Sequence, residues 1–105
     1  MIDTCYVMGY NKCMIQSFKH KGLKLFFETG RKSGIQPNHA NRLKLILGRL
    51  NASTSPEDMD LPGLFFHPLS GNRAETYSVR VNGNWRVTFE FEGVHAELVN
   101  YEDYH

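Results

Sequence analysis

The chain has 105 residues and a formal net charge of +1, with 41% hydrophobic and 22% charged residues. That length and composition are typical of one globular domain and exclude a disordered or low-complexity chain. No uncharged apolar run approaches the roughly 18 residues of a membrane helix, and no secretory signal is evident. The two cysteines, Cys5 and Cys13, are too few for a disulfide scaffold or a four-thiolate zinc site, which favours a reduced protein of the cytoplasm.

The near-neutral total hides an uneven distribution of charge along the chain. Residues 14–49 include eight Lys or Arg side chains and one acidic residue, Glu28. Residues 87–105 include five acidic side chains and neither Lys nor Arg. A basic first half of this kind can bind a polyanion such as nucleic acid, although the solvated outer faces of helices commonly carry the same charges.

The first thirty residues predict one short strand and one helix. Residues 1–13 show neither a helical nor a strand period, whereas residues 14–18 are typical of a short strand. Residues 21–28 predict a helix that Gly30 ends, as Gly does just past helices. The apolar side chains on one side of this helix are Leu23, Phe26 and Phe27.

A second helix and a loop follow. Pro37 suits the first turn of a helix that runs to about residue 50. Its apolar stripe at helical spacing consists of Ala40, Leu43, Leu47 and Leu50. Residues 51–63 are rich in Ser, Thr, Pro and acidic residues and predict a loop.

The remainder of the chain alternates in the manner of strands. Residues 63–69, 76–81, 84–91 and 94–101 each predict a strand, and Asn82-Gly83 is a strong signal for a hairpin between the second and the third. The fold class is therefore α+β, with an N-terminal strand, two helices, and then a curved antiparallel sheet of three or four strands. The helices are expected on one face of that sheet.

Few residues could carry chemistry, because the chain contains no phosphate-binding Gly loop, GxSxG, HExxH or CxxC motif. His67 precedes a Pro at a strand end, where a side chain can project into a cleft. Asp103, Tyr104 and His105 follow the last strand without a linker and offer proton donors and acceptors. A structural strand histidine and a frayed terminus are the alternatives. The candidate cations are Arg73, Arg80 and Arg86.

A metal site is a second chemical interpretation. His67, Asp103 and His105 are possible ligands for zinc or manganese, but no familiar ligand spacing supports such a site. The other histidines are interpreted as incidental, because each lies among polar neighbours in the sequence: His20, His39 and His95.

Five segments together form a combination that is more specific than any one of them. They are residues 14–24 (MIQSFKHKGLK), His67-Pro68-Leu69, Gly71-Asn72-Arg73, Val81-Asn82 with Asn84-Trp85-Arg86, and the closing residues 100–105 (NYEDYH). On these segments residues 14–105, which are 92 of the 105, resemble the HigB branch of the RelE/ParE toxin superfamily. Residues 1–13 then form an N-terminal extension or lie upstream of a start at Met14, and 14–105 form a single toxin domain with a RelE-like microbial RNase fold.

The resemblance implies a toxin of a type II toxin–antitoxin system that cuts messenger RNA in the ribosomal A site without a metal or cofactor. It implies a catalytic set of His67, Asp103, Tyr104 and His105. It also implies that Arg73 and Arg86 bind RNA or its phosphates. Relatives often have Lys at position 70, where this chain has Ser70. The absence of that cation gives the two arginines more weight.

Cleavage of RNA by its own 2′-OH needs a base, an acid for the leaving 5′-oxygen, and donors that stabilise the dianionic phosphorane. Asp103 or His105 can serve as the base, and His67 or His105 as the acid. Tyr104 can hydrogen-bond a phosphate or stack on an exposed base. The expected products carry a 2′,3′-cyclic phosphate and a 5′-OH.

The implied partners are the 70S ribosome with its A-site message and an antitoxin of the HigA helix-turn-helix type, through which alone operon DNA is bound. No membrane partner is expected. The basic residues expected to face ribosomal RNA are Lys19, Lys21, Lys24, Arg42 and Lys44. One alternative is a ParE-like, non-catalytic inhibitor of DNA gyrase, which would need neither His67 nor the terminal Asp-Tyr-His. The other alternative is a vestigial RNA-binding module, which agrees with the absence of a cation at Ser70.

Overall fold

After a short pair of strands, the chain forms two helices and then a four-stranded antiparallel sheet. The computed structural model describes residues 6–7, 10–11, 15–69 and 75–103. Within these ranges the elements are β1 Tyr6–Val7, β2 Tyr10–Asn11, α1 Lys21–Thr29, α2 Ala40–Ala52, β3 His67–Pro68, β4 Tyr77–Asn82, β5 Trp85–Glu92 and β6 His95–Asp103. The predicted α+β architecture is confirmed.

The segment before α1 extends the sheet instead of forming a full strand. Ile15 and Phe18 make isolated parallel bridges to Ala96 and Val99 of β6. The backbone N–H of Gln16 donates to the carbonyl of Ala96 at 2.7 Å. Residue 14, where the strand was predicted to begin, lies outside the described residues. Upstream, β1 and β2 pair with each other in a separate two-stranded sheet that the sequence period did not indicate.

Helix α1 has a defined residue at each end. At its start His20 accepts a hydrogen bond from the backbone N–H of Leu23 through Nδ1, at 3.0 Å, and so satisfies a donor that the helix leaves unpaired. At its end Gly30 has a φ of 82°, the left-handed conformation that glycine adopts without a Cβ clash. The helix therefore ends where Gly30 predicted, and Leu23 and Phe26 are buried.

Helix α2 begins after a short 3₁₀ turn. Pro37 starts this turn, Pro37–His39, and the α-helix follows from Ala40 to Ala52, two residues beyond the predicted end. The turn accommodates Pro37 because its missing N–H is not needed there. The predicted stripe is confirmed, and Ile46 joins it; the buried residues are Ala40, Leu43, Ile46, Leu47 and Leu50.

The connection from α2 to the sheet differs from the sequence prediction at two places. Pro56–Met59 form a 3₁₀ turn within the predicted loop, and the Met59 side chain is fully buried. The strand predicted over 63–69 is regular only at His67–Pro68, because Phe65 has a φ of 53° and interrupts the extended backbone. The sequence pattern did not predict the burial of Met59, because one apolar residue in a polar segment shows neither a helical nor a strand period.

The sheet has the order β3-β4-β5-β6, with every neighbouring pair antiparallel. The hairpin predicted at Asn82-Gly83 joins β4 to β5, and Gly83 has a φ of 56°. The buried side chains of the two helices and of this sheet form one hydrophobic core. In the described part of the chain neither helix is long and apolar enough to cross a bilayer. The fully buried side chains shared by the helices and the sheet include Leu23, Leu43, Ile46, Leu50, Val79, Val87, Phe89 and Val99.

Replacing Gly22 with Ala is expected to destabilise the fold by about 1–3 kcal/mol, the usual effect of overpacking. A Cβ on Gly22 would lie 2.5 Å from the carbonyl oxygen and 2.7 Å from the Cα of Gly34, both backbone atoms. Gly48→Ala is the matched control, because a Cβ there meets nothing within 4 Å, and it should stabilise α2 by roughly 0.5–1 kcal/mol. Urea unfolding measures both; equal midpoints for the two variants would contradict this.

Candidate active site

One face of the sheet, opposite the helices, carries polar side chains in register. His67 of β3 lies opposite Ser78, Ser78 opposite Thr88, and Thr88 opposite Asn100 of β6. Because residues that lie opposite each other project from the same face, the four side chains form one row. Three strand spacings separate His67 from Asn100, or about 14 Å. We call this set of residues the polar face: His67, Ser78, Arg80, Arg86, Thr88, Asn100 and Glu102; the Ser78 and Thr88 side chains in its middle are buried.

A second row of the polar face, which we call the charged row, contains Arg80, Arg86 and Glu102. Arg80 lies opposite Arg86, and Arg86 lies opposite Glu102. The Oε2 atom of Glu102 accepts hydrogen bonds from the Thr88 hydroxyl at 2.9 Å and from the Asn100 amide at 3.3 Å. Two guanidinium groups therefore share the row with one carboxylate whose position is held by neutral donors. This row can attract an anion while keeping its own carboxylate in place.

Glu102 and its two donors were not predicted as part of the site. The alternation of β6 was the available signal, because Asn100 and Glu102 are two residues apart and share a face. The sequence interpretation selected only the three residues that follow Glu102, which are Asp103, Tyr104 and His105.

His67 stands at the β3 edge of the polar face with its side chain exposed. The two-residue strand is fixed from both sides. Before it, the ring of Phe66 stacks on Tyr77 with centroids 5.5 Å apart. After it, the backbone N–H of Leu69 donates to the carbonyl of Thr76 at 2.8 Å. A short, well-anchored strand thus presents this imidazole to solvent.

The other predicted site residues are only partly brought together. Arg86, half-buried, shares the polar face with His67. Asp103 is the exposed last residue of β6 and lies opposite Trp85, so the strand's alternation gives it the face of Tyr101 and not that of His67. Residues 70, 73, 104 and 105 lie outside the described residues. Within the described ranges, no three His, Cys, Asp or Glu side chains group to hold a metal ion.

The structure corrects the interpretation of His20 and His39 as incidental. His39 is 4% exposed, and its Nδ1 lies 2.6 Å from the hydroxyl oxygen of Tyr101. That hydroxyl also accepts the backbone N–H of Gln36 at 3.3 Å. The ring of Tyr101 lies 4.5 Å from Trp85 and 5.3 Å from His20, centroid to centroid. These rings join both helices to β6 two residues before Asp103. The polar sequence neighbours of His20 and His39 gave no sign of this, because both histidines lie more than sixty positions from Tyr101 in the sequence.

Acidification is expected to destabilise the protein through these histidines. Burial lowers the pKa of His39 and the pKa of His20 below the ordinary value of about 6.5. Below about pH 6.5 the unfolded chain therefore binds protons more readily than the folded chain does. The stability that is fully present above that pH is lost as the pH falls through the lower pKa of the folded state. Urea midpoints at pH 7.5 and 5.5 should differ less in His39→Gln than in the wild type. An unchanged difference would contradict the assignment.

The predicted ribosome-facing cations occupy three different places. Lys19, Lys21 and Lys24 are exposed around the start of α1, beside β6. Lys44 is exposed on α2, where it lines a cavity of about 480 Å³ between the helices. Arg42 differs from these lysines, because its guanidinium donates to the carbonyls of Gly63 and, at 3.4 Å, of Arg80. Arg42 thus ties α2 to the strand that carries Arg80.

Two comparisons with known proteins match nearly the whole chain. The profile of a family described as a RelE-like toxin of the type II toxin–antitoxin system HigB matches residues 16–105. The Endoribonuclease HigB of Proteus vulgaris is 42% identical over 92 residues, which are 88% of this chain and 100% of that protein. The family match includes both helices, the four-stranded sheet and every residue of the polar face.

Proposed function

The chain belongs to the HigB-like family of type II toxins, as its sequence predicted, and from that premise we propose that it is an endoribonuclease that cuts messenger RNA in the ribosomal A site. As a toxin of such a system it has an antitoxin partner. One observation carries the proposed chemistry. The polar face has an exposed imidazole at its β3 edge, guanidinium groups in its middle, and the C-terminal end of β6 at its other edge.

This arrangement suits in-line attack at phosphorus. The attacking 2′-oxygen and the leaving 5′-oxygen lie on opposite sides of the phosphorus atom, so the base and the acid must approach from opposite sides. His67 can protonate the leaving oxygen from the β3 edge. Asp103 or His105 can take the 2′-OH proton from the end of β6; since Asp103 lies on the face of Tyr101, it would act around the end of the strand and not from the polar face itself. Tyr104 can contact the phosphate or a base.

The guanidinium groups stabilise the charge that develops during this reaction. The phosphorane carries two negative charges, and Arg86 lies in the charged row between the two edges. Arg73 is a second phosphate ligand in this proposal. Since Ser70 supplies no cation, the binding of the phosphate depends more on these arginines.

The ribosome supplies what this small site lacks, which is a bent RNA strand with its 2′-OH held in line. Lys19, Lys21 and Lys24 lie exposed together beside β6 and can contact ribosomal RNA, so binding should weaken steeply with salt. The protein then acts in the cytoplasm, where its ribosomes are. Its antitoxin is of the HigA helix-turn-helix type, which alone contacts operon DNA.

The test is a cleavage assay on programmed ribosomes that hold a defined codon in the A site. We expect a cut within that codon, with a 2′,3′-cyclic phosphate at the new end and little cutting of the same RNA free in solution. A codon with 2′-deoxyribose at the cleaved nucleotide should bind and stay intact. Intact ribosomal message, together with inhibition of DNA gyrase supercoiling, would overturn the proposal and favour a gyrase inhibitor.

A further inference from the structure

Phe65 is held in an unusual position two residues before His67. Its side chain is 62% exposed, more than any other large apolar side chain in the described part of the chain. Its φ of 53° lies in the left-handed region, which a residue with a bulky ring adopts at a cost in free energy. Burying this ring would gain free energy, yet the backbone turns it into solvent.

The neighbours of Phe65 show how the fold enforces this conformation. Leu64 is 2% exposed, and its carbonyl accepts the backbone N–H of Arg80 at 2.7 Å. Phe66 packs on Tyr77. With both flanking residues anchored, the left-handed turn between them directs the intervening ring outward. The backbone of the segment before His67 therefore fixes the exposed position of the ring.

A guanidinium group covers part of this ring. The Cζ atom of Arg80 lies 5.3 Å from the centroid of the Phe65 ring, within the range of a cation–π contact. The Nε–H of Arg80 donates to the carbonyl of Gly83 at 3.2 Å, which holds the guanidinium in place. A planar cation and an exposed aromatic ring thus lie together on the surface.

The pair lies beside the proposed catalytic edge. Arg80 is two residues along β4 from Ser78, and Ser78 lies opposite His67. Arg80 is therefore the diagonal neighbour of His67, with Cα atoms about 7–8 Å apart. That separation is close to the distance between consecutive nucleotides of an extended strand. A phosphate at His67 would bring an adjacent nucleobase to the ring of Phe65.

We propose that Phe65 and Arg80 form a stacking platform for the unpaired nucleobase next to the cleaved phosphate, an inference that rests on the proposed function. An exposed aromatic ring and a guanidinium plane are the groups on which single-stranded bases stack. Stacking reads no hydrogen-bonding edge, so the platform accepts every base, with a modest preference for purines because of their larger rings.

The experiment measures kcat/KM for cleavage on programmed ribosomes with the wild type, Phe65→Asn, Phe65→Trp and Leu45→Ala. Asn tolerates the left-handed backbone but removes the ring, and Trp retains a stacking surface. Leu45 is the matched control, an exposed apolar side chain on α2. We expect about a tenfold loss for Phe65→Asn and near-wild-type values for the other two. Two further messages each carry one abasic nucleotide, on one side of the cut or on the other. With the message that lacks the contacted base, the wild type and Phe65→Asn should cut at the same rate.

A second measurement does not depend on cleavage. A short 2′-O-methyl RNA that contains 2-aminopurine cannot be cut, and its fluorescence should be quenched on stacking with the wild type and less with Phe65→Asn or Arg80→Gln. Equal quenching by all three, or equal cleavage by Phe65→Asn and the wild type, would overturn the platform and leave the proposed function standing. If the wild type does not cut message on ribosomes, the proposed function is overturned instead. The fluorescence would still decide whether Phe65 binds a base.

Discussion

His67→Gln is expected to cut A-site message about 10²- to 10⁴-fold more slowly than the wild type, the contribution of a positioned general acid. Glutamine can hydrogen-bond the leaving oxygen but cannot give it a proton at neutral pH. His67 is exposed at the β3 edge, so the substitution removes no buried contact. Single-turnover cleavage on programmed ribosomes, with the protein in excess, measures the rate without a contribution from product release.

The matched control for this prediction is His95→Gln. His95 is also a strand histidine, and its Nδ1 lies 3.4 Å from the side-chain nitrogen of Gln16, at the end of β6 away from Asp103. This variant should cut at the wild-type rate. A full rate for His67→Gln, with ribosome binding unchanged, would show that the proton donor is another residue, of which His105 is the first to test.

Arg86→Gln is expected to lower the same single-turnover rate by about 10²- to 10³-fold, the usual effect of removing one donor that stabilises transition-state charge. Arg86 is half-buried between Arg80 and Glu102 in the charged row. Partial burial strengthens its interaction with a phosphorane because less water screens the charges. Arg86→Lys keeps the charge but loses the planar fork of donors, so its rate should lie between those of the wild type and Arg86→Gln.

Arg49→Gln controls for the general loss of a positive charge, since Arg49 is exposed on α2. It should lower ribosome binding at most slightly and leave the cleavage step unchanged. Thermal unfolding of each variant separates a chemical defect from a folding defect. Equal rates for Arg86→Gln and Arg49→Gln, in stable proteins, would remove Arg86 from the proposed site.

Several parts of the site could be predicted from the sequence because local patterns determine them. Gly30 ended α1 at the predicted place, and Asn82-Gly83 placed the hairpin that brings Arg86 opposite Arg80. His67 and Arg86 were identified by resemblance, and the sheet register places both on the polar face. Glu102 was missed, although the alternation of β6 carried the information.

The sequence by itself determined the two helices, the Asn82-Gly83 hairpin and the α+β class, because these depend on periods and turn residues that lie within a few positions of one another. It also determined the family, through the combination of five short motifs. Only the tertiary structure decided which distant side chains meet. The contact of His39 with Tyr101, the link from Arg42 to Arg80 and the cover of Arg80 over Phe65 each join separate elements. Such contacts depend on how the helices and strands pack, and no local pattern encodes that packing.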